Sequence, residues 1–108
     1  MSYLVTLTDR AFEELDDACT WWETHRSPEQ ASRWYQGFID ALRSLSENPQ
    51  RCALASENDL LVFEARQLNY GLGAKPTHRA VFVVRPNQVL VLRIRHLAQQ
   101  NIIPDDFV

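Results

Sequence analysis

The sequence predicts one α+β domain, in which a pair of helices packs against a single β-sheet. Apolar side chains recur at helical spacing between residues 9 and 45, whereas they alternate or form short β-branched runs between residues 61 and 95. Of the 108 residues, 45% are hydrophobic and 23% are charged, which is typical of a globular chain of single-domain size. We therefore expect residues 1–108 to form one domain with the element order β-α-α-β-β-β.

The first two elements are predicted to be a short strand and an amphipathic helix. Residues 3–7 alternate bulky and β-branched side chains, as strands do. Thr8 is suited to cap the following helix, and Asp9 places negative charge where the helix dipole favours it. One face of this helix is apolar and carries Ala11, Leu15, Ala18 and Trp22. The other face is acidic and predicts a solvated surface, and the helix ends at His25-Arg26.

The second helix has the strongest local signal in the sequence, which is Ser27-Pro28-Glu29-Gln30. Ser27 caps the helix, Pro28 takes the first helical position, and Gln30 completes a capping box. An apolar stripe follows, made of Ala31, Trp34, Tyr35, Phe38, Leu42 and Leu45. Asn48-Pro49 ends the helix. Because a tight turn joins the two amphipathic helices, they form a helical hairpin. We expect the three tryptophans, Trp21, Trp22 and Trp34, to pack between helices and sheet.

The second half of the chain predicts three consecutive strands after a loop at residues 50–59. The strands are expected at residues 61–68, 80–84 and 89–95. Arg85-Pro86-Asn87-Gln88 provides the turn between the last two. These strands form an antiparallel meander, which joins the N-terminal strand in one sheet that the helices cover.

The pairing of the last hairpin predicts which side chains share a face. A loop centred on Pro86-Asn87 gives the pairs Val84–Val89, Phe82–Val91, Ala80–Arg93 and Arg79–Ile94. One end of the hairpin is then polar and cationic, with Arg79 and His96 on one face and His78, Arg93 and Arg95 on the other.

Charge is divided unevenly along the chain, although the net charge is only −3. Residues 1–62 carry five basic and eleven acidic side chains, whereas residues 63–97 carry six basic side chains and one acid, Glu64. This asymmetry indicates either a face that prefers an anionic partner or two halves that neutralise each other.

The cationic end of the last hairpin suggests an RNA or phosphate site. Guanidinium groups match phosphate oxygens, and histidine is the side chain that most often serves as an acid or base at physiological pH. Attack by a 2′-hydroxyl also needs a general base, which Glu57 or Glu64 could supply. The simpler interpretation is a histidine that hydrogen-bonds at a strand end and arginines whose stems cover the edge of the core.

Other classes of function are not indicated. The sequence has no metal-binding motif, no glycine-rich phosphate loop and no apolar run long enough to cross a membrane. Cys19 and Cys52 predict reduced thiols, and residues 1–6 do not resemble a signal peptide. We therefore expect a cytoplasmic protein without cofactor or membrane contact.

Four segments, in order and spacing, resemble the RelE/ParE toxin family. They are residues 5–11 (VTLTDRA); Pro28-Glu29-Gln30-Ala31 with Trp34, residues 41–45 (ALRSL) and Pro49; residues 66–71 (RQLNYG) with 78–82 (HRAVF); and residues 89–96 (VLVLRIRH). The resemblance spans roughly residues 3–97. It implies a small α+β toxin of a bacterial type II toxin–antitoxin system, inhibited in a hetero-oligomer by a cognate antitoxin that wraps an extended or helical segment over it.

The resemblance implies one of two toxic activities. RelE-type and YoeB-type members cut mRNA, usually on the ribosome, whereas ParE-type members poison DNA gyrase and need no catalytic residues. In the cleaving members, Arg79 matches a catalytic or phosphate-binding arginine and His96 matches an acid or base. The sequence departs from that pattern, because the lysine-rich stretch is missing and Leu97 replaces a terminal aromatic residue.

We therefore favour a metal-independent endoribonuclease that acts on mRNA at the ribosome. Its catalytic residues would be Arg79, His96 and Glu57, and its phosphate- or RNA-binding residues Arg66, His78, Arg93 and Arg95. The alternatives are a gyrase inhibitor and a degenerate toxin that only binds an antitoxin.

Overall fold

The computed structural model describes residues 2–99 and 101–103. Its elements are β1 (Leu4–Leu7), α1 (Asp9–His25), α2 (Pro28–Arg43), β2 (Arg66–Tyr70), β3 (His78–Arg85) and β4 (Gln88–His96), with short 3₁₀ turns at Ser44–Ser46, Pro49–Arg51 and Asn58–Leu60. The strands form one sheet in the order β1-β4-β3-β2. The predicted α+β fold with a helical hairpin is confirmed.

The sheet is mixed, because its first strand runs parallel to its last. Strands β2, β3 and β4 form the predicted antiparallel meander. Strand β1 pairs with β4 in parallel, with Leu4 opposite Gln88 and Leu7 opposite Val91. The first and last strands are therefore neighbours in the sheet, although the helical hairpin and two other strands separate them in sequence.

The predicted helix caps are present. Thr8 Oγ1 accepts a hydrogen bond from the Ala11 amide at 3.1 Å, and Ser27 Oγ accepts one from the Gln30 amide at 3.1 Å. Helix α2 ends at Arg43, earlier than expected, because the chain tightens there into a 3₁₀ turn. None of the described helices is long and apolar enough to cross a bilayer.

The main core lies between the helices and one face of the sheet, which we call the covered face. Trp34 and Phe38 from α2 are fully buried there against Phe82 and Val91. Trp22 is partly buried at the same core, but Trp21 is 47% exposed, so the prediction that all three tryptophans pack inward is wrong for Trp21. Successive residues of a helix point about 100° apart, so neighbouring indoles cannot both face the sheet.

Helix α2 approaches β2 closely at Gly37. Tyr70 stacks on Phe38 with ring centroids 4.8 Å apart. Its hydroxyl oxygen would lie 2.0 Å from a Cβ atom placed on Gly37. The missing side chain therefore makes room for the tyrosine.

The strand predicted at residues 61–68 begins only at Arg66, so its first half is wrong. Residues before Arg66 turn back on themselves, because Asn58 Oδ1 accepts a hydrogen bond from the Ala65 amide at 2.9 Å. This turn leaves Leu60 and Val62 at the surface. An apolar run in a loop thus resembled a strand.

A β-bulge in β4 changes the pairing expected for the last hairpin. The pairs Val84–Val89 and Phe82–Val91 are as predicted, but the register then shifts at Leu92. The observed pairs beyond the bulge are Val81–Arg93, Ala80–Ile94, Arg79–Arg95 and His78–His96. The predicted pairs Ala80–Arg93 and Arg79–Ile94 are therefore wrong.

The bulge lies where β1 ends and α1 begins. The Thr8 amide donates to the Val91 carbonyl at 3.0 Å, and the Thr8 hydroxyl donates to the Leu92 carbonyl at 3.0 Å. One threonine thus caps α1 and also binds two consecutive carbonyls of β4 at the extra residue. The prediction that Arg79 and His96 share a face fails here, because an extra residue exchanges the faces of all side chains beyond it.

Candidate functional site

The predicted site residues are divided between the two faces of the sheet. His78 pairs with His96, and its ring lies 5.0 Å from Trp34 in the main core, which places it on the covered face. Arg79 pairs with Arg95, and its guanidinium binds Glu57 on the opposite face, which we call the open face. The cluster expected from the sequence is thus two separate groups.

A buried ion pair joins Arg79 to Glu57 on the open face. Arg79 Nη1 donates to Glu57 Oε1 at 2.8 Å, and Arg79 Nη2 donates to Glu57 Oε2. The Ile102 amide also donates to Glu57 Oε2, at 2.8 Å. Arg79 Nη1 further donates to Gln67 Oε1 at 3.2 Å. The exposed fraction is 0% for Glu57 and 4% for Arg79, so both groups are desolvated and hydrogen-bonded.

The pKa of Glu57 shows how strongly this environment favours the carboxylate. Burial alone would raise the pKa, but the hydrogen bonds from Arg79 and from the Ile102 amide, with the charge of Arg79, lower it to about 2. A carboxylate with this pKa accepts protons poorly, and both its oxygens are already occupied.

A small second core surrounds the ion pair. Ala55, Ala65, Val81 and Ile102 are buried together, with Leu61 packed against them. The segment that carries Ile102 is thus packed against the open face. Residues 104–108 of that tail lie outside the described residues.

Two other arginines of the predicted site also bind protein acceptors. Arg93 forms a bidentate pair with Glu14 of α1, with Nε–Oε1 and Nη2–Oε2 distances of 2.8 Å. Arg66 Nη1 donates to the Cys52 carbonyl at 2.7 Å, and its Nη2 donates to Glu64 at 3.2 Å. Together with the Glu57–Arg79 pair, these contacts place basic residues of the second half beside acidic side chains. Two of the acids, Glu14 and Glu57, lie in the first half of the chain. This agrees with the alternative in which the two halves neutralise each other.

A cleft of about 540 Å³ opens between α1 and the polar ends of β3 and β4. Its lining is aromatic and charged and includes Asp17, Trp21, Trp22, Arg26, His78 and His96. This volume is within the range of ligand pockets. Trp21 and Arg26 were not predicted as site residues, although the adjacent indoles Trp21-Trp22 indicate that one of them must face outward.

The two histidines of the cleft have different environments. Burial lowers the pKa of His78 to about 4, with a smaller contribution from the nearby His96, so His78 is neutral at pH 7. His96 is exposed, and its Nδ1 accepts a hydrogen bond from the Ala98 amide at 3.0 Å. A neutral His96 ring with this bond carries its proton on Nε2. Their ring centroids lie 5.0 Å apart.

The arrangement does not bring together the groups that the sequence analysis combined. His96 lies in the cleft on the covered face, whereas Glu57 and Arg79 are buried on the open face. Within residues 2–99 and 101–103, no group of three or more histidine, cysteine or acidic side chains is arranged to hold a metal ion. The geometry therefore does not support chemistry that uses all the predicted residues together.

Comparison with family models identifies one family for most of the chain. Residues 5–101 match the family model described as the ParE toxin of the type II toxin–antitoxin system parDE. Among solved structures, the chain is similar to one titled "Chromosomal ParDE TA system from P. aeruginosa", with a TM-score of 0.69, 19% sequence identity, and coverage of 88% of this chain and 96% of that chain. At that identity the likeness concerns the fold. A sequence comparison with curated proteins gives no match.

Proposed function

The chain belongs to the family of ParE toxins of type II toxin–antitoxin systems, and we propose that it acts by binding DNA gyrase rather than by cutting RNA. In this proposal a cognate antitoxin protein binds the toxin and suppresses its activity. The family match over residues 5–101 and the ParDE title of the similar structure support an antitoxin partner. Gyrase is the target that the resemblance to ParE-type members implies.

The observation that carries the proposal is that two arginines of the predicted RNA site already bind carboxylates of the protein. Arg79 and Arg93 form bidentate pairs with Glu57 and Glu14, so their guanidinium groups are occupied by protein carboxylates. Moving Arg79 towards a phosphate would leave the buried Glu57 charge without its partner, which is strongly unfavourable. These pairs therefore support a structural role for both arginines.

The cleft is the surface best suited to contact a target protein. It lies where the helical hairpin meets the end of β4, and Trp21 presents an indole that is 47% exposed. Exposed aromatic side chains beside a cleft are typical anchors of protein interfaces. We assign the contact with gyrase to this cleft, with Trp21 as its anchor.

A gyrase assay with purified protein tests this proposal. We expect the toxin to inhibit supercoiling and to be retained by immobilised gyrase. Trp21→Ala should weaken both effects about tenfold or more, a typical loss for an interface anchor. Phe12→Ala is the matched control, because Phe12 is also an exposed aromatic residue of α1 but lies outside the cleft. Full toxicity in cells without gyrase binding or DNA breaks would refute the proposal.

One observation favours mRNA cleavage as the second candidate. His96 is exposed in the cleft together with Arg26, which is a possible pairing of an acid–base group with a cation. Primer extension of cellular transcripts after induced expression distinguishes the candidates. New RNA ends that disappear with His96→Ala would favour cleavage, and their absence from a toxic strain would favour gyrase. A strain that grows normally without antitoxin would instead indicate a degenerate toxin.

A further inference from the structure

Trp21 lies near the junction of the two helices, where the chain turns from α1 into α2. The Arg26 amide donates to the Trp22 carbonyl at 2.9 Å, and Ser27 caps the next helix. These two hydrogen bonds fix the backbone of the turn. The indole of Trp21 is 47% exposed and does not belong to the main core, so core packing does not set its orientation.

The ring of His25 stacks on this indole. The two ring centroids lie 4.7 Å apart, and the ring planes are inclined by only 15°. Residues four positions apart lie on the same side of a helix, which brings the two rings together. His25 Nδ1 lies 3.0 Å from the Trp21 carbonyl oxygen, and it donates this hydrogen bond because a carbonyl can only accept. The imidazole is thus bonded to the backbone of the residue whose indole it covers.

Two other side chains lie near the Trp21 indole, but less closely. Trp22 meets it edge to face, with ring centroids 5.7 Å apart. The guanidinium carbon of Arg26 lies 6.0 Å from its centroid, at the outer limit of a cation–π contact. The parallel stack with His25 is the closest of the three contacts. His25 is therefore the side chain that restricts the indole most.

The two most exposed aromatic residues of α1 differ in this respect. Phe12 is 55% exposed, similar to Trp21, but no aromatic ring in the described part of the chain stacks on it. A side chain that rotates freely loses this freedom when it enters an interface, which weakens binding. A side chain that is already held in place loses less, so the stack makes Trp21 a better anchor than exposure alone would.

We propose that His25 is a positioning residue, which holds the Trp21 indole in its binding orientation before the target arrives. His25 acts through Trp21 and makes no contact with the target itself. Its absence from the lining of the cleft agrees with this indirect role. The inference rests on the proposed role of Trp21 as the anchor of the cleft, and it adds what keeps that anchor in place.

The affinity for immobilised gyrase tests the positioning role. His25→Ala should raise the Kd about threefold to tenfold, which corresponds to the cost of ordering one side chain on binding. His25→Phe keeps a ring that can stack on Trp21, so its Kd should stay within about twofold of the unaltered chain. Thr24→Ala is the matched control, because Thr24 is exposed and its hydroxyl donates to the Thr20 carbonyl at 2.9 Å, the same kind of bond to the helix backbone.

A double variant separates positioning from direct contact with the target. Added to Trp21→Ala, His25→Ala should cause no further loss of affinity, because the indole that it holds is gone. Additive losses would overturn the proposal, since they would mean that His25 contacts the target. An unchanged Kd for His25→Ala, or equal losses for His25→Ala and His25→Phe, would overturn it as well.

A measurement without gyrase keeps this inference distinct from the proposed target. The heteronuclear ¹H–¹⁵N nuclear Overhauser effect of the Trp21 indole N–H reports its motion on the picosecond-to-nanosecond timescale. We expect a value close to that of the partly buried Trp22 in the unaltered chain and in Thr24→Ala, and a lower value in His25→Ala. An unaltered chain that does not bind gyrase would refute the target and leave this comparison valid. Equal values in the unaltered chain and in His25→Ala would refute the positioning role, whatever the target is.

Discussion

The two faces of the sheet are stabilised in different ways. On the covered face, Trp34, Phe38 and Phe82 form a continuous aromatic and aliphatic core under two helices. On the open face, a few small apolar side chains surround one buried ion pair, Glu57–Arg79. The covered face therefore depends on shape and volume, whereas the open face depends on matching two charges. A buried arginine in this fold can therefore be structural even where the sequence indicates chemistry.

The largest effect is expected from breaking the ion pair of the open face. Arg79→Met leaves Glu57 as a buried unpaired carboxylate and should lower the free energy of unfolding by about 3–5 kcal/mol. Glu57→Leu combined with Arg79→Met removes both charges and should recover most of that loss. Urea unfolding measures both variants. Arg85→Met is the control on the same strand, because Arg85 is exposed. A double variant no more stable than Arg79→Met alone would contradict this account of the open face.

Acid should destabilise the two faces in successive pH ranges. Burial, with a smaller effect of His96, lowers the pKa of His78 to about 4 from its ordinary 6.5, so the unfolded chain binds more protons between these values. Stability conferred by neutral His78 is therefore complete above pH 6.5 and falls by up to about 3 kcal/mol as the pH drops to 4.

The Glu57 carboxylate accounts for the loss of stability in the lower pH range. Its pKa is lowered to about 2 from 4.5, so its contribution is complete above pH 4.5 and is lost as the pH falls towards 2. Urea unfolding at a series of pH values measures both ranges. His78→Phe should flatten the profile between pH 6.5 and 4 but not below it, whereas an unchanged upper range would show that His78 is not the group responsible.

A smaller effect is expected on the covered face at the contact between α2 and β2. Gly37→Ala places a Cβ atom 2.0 Å from the Tyr70 hydroxyl oxygen, and Tyr70 is stacked on Phe38. We expect a loss of about 1–3 kcal/mol from overpacking, reduced by the better helix propensity of alanine. Tyr70→Phe should restore part of this loss, because it removes the nearest atom. Thermal unfolding of the two single variants and the double variant measures the coupling, and strict additivity would exclude the contact as its cause.

Local signals predicted most of the fold, because they depend on residues close in sequence. The caps at Thr8 and Ser27 are read from neighbours within three positions, and both are present. The strand predicted at residues 61–68 was misplaced, because the apolar residues of this loop would fit a strand as well as they fit the loop. The deciding bond, from the Ala65 amide to Asn58, specifies a turn that composition does not show.

The candidate site was harder to predict, because long-range contacts determine it. The bulge at Leu92 accompanies a hydrogen bond from Thr8, 84 positions earlier, and it moved His96 to the face opposite Arg79. The partners of Arg79 and Arg93 lie 22 and 79 positions away. The sequence predicts a catalytic role for Arg79 and phosphate or RNA binding for Arg93, but only their distant carboxylates show why these side chains are buried. The uneven distribution of charge along the chain left mutual neutralisation of the two halves as only one of two alternatives.

The parallel pairing of β1 with β4 also has a consequence for synthesis of the chain. Residues 4–7 find their partners at residues 88–91, and Thr8 binds carbonyls of the same strand. A nascent chain emerges from its N-terminus, so β1 stays without its sheet neighbour until residues 88–91 have left the ribosome. The cleft is completed at the same moment, because one of its walls is the end of β4. The surface proposed to contact the target therefore forms only after the end of β4 has been synthesised, and a product truncated before β4 would lack it.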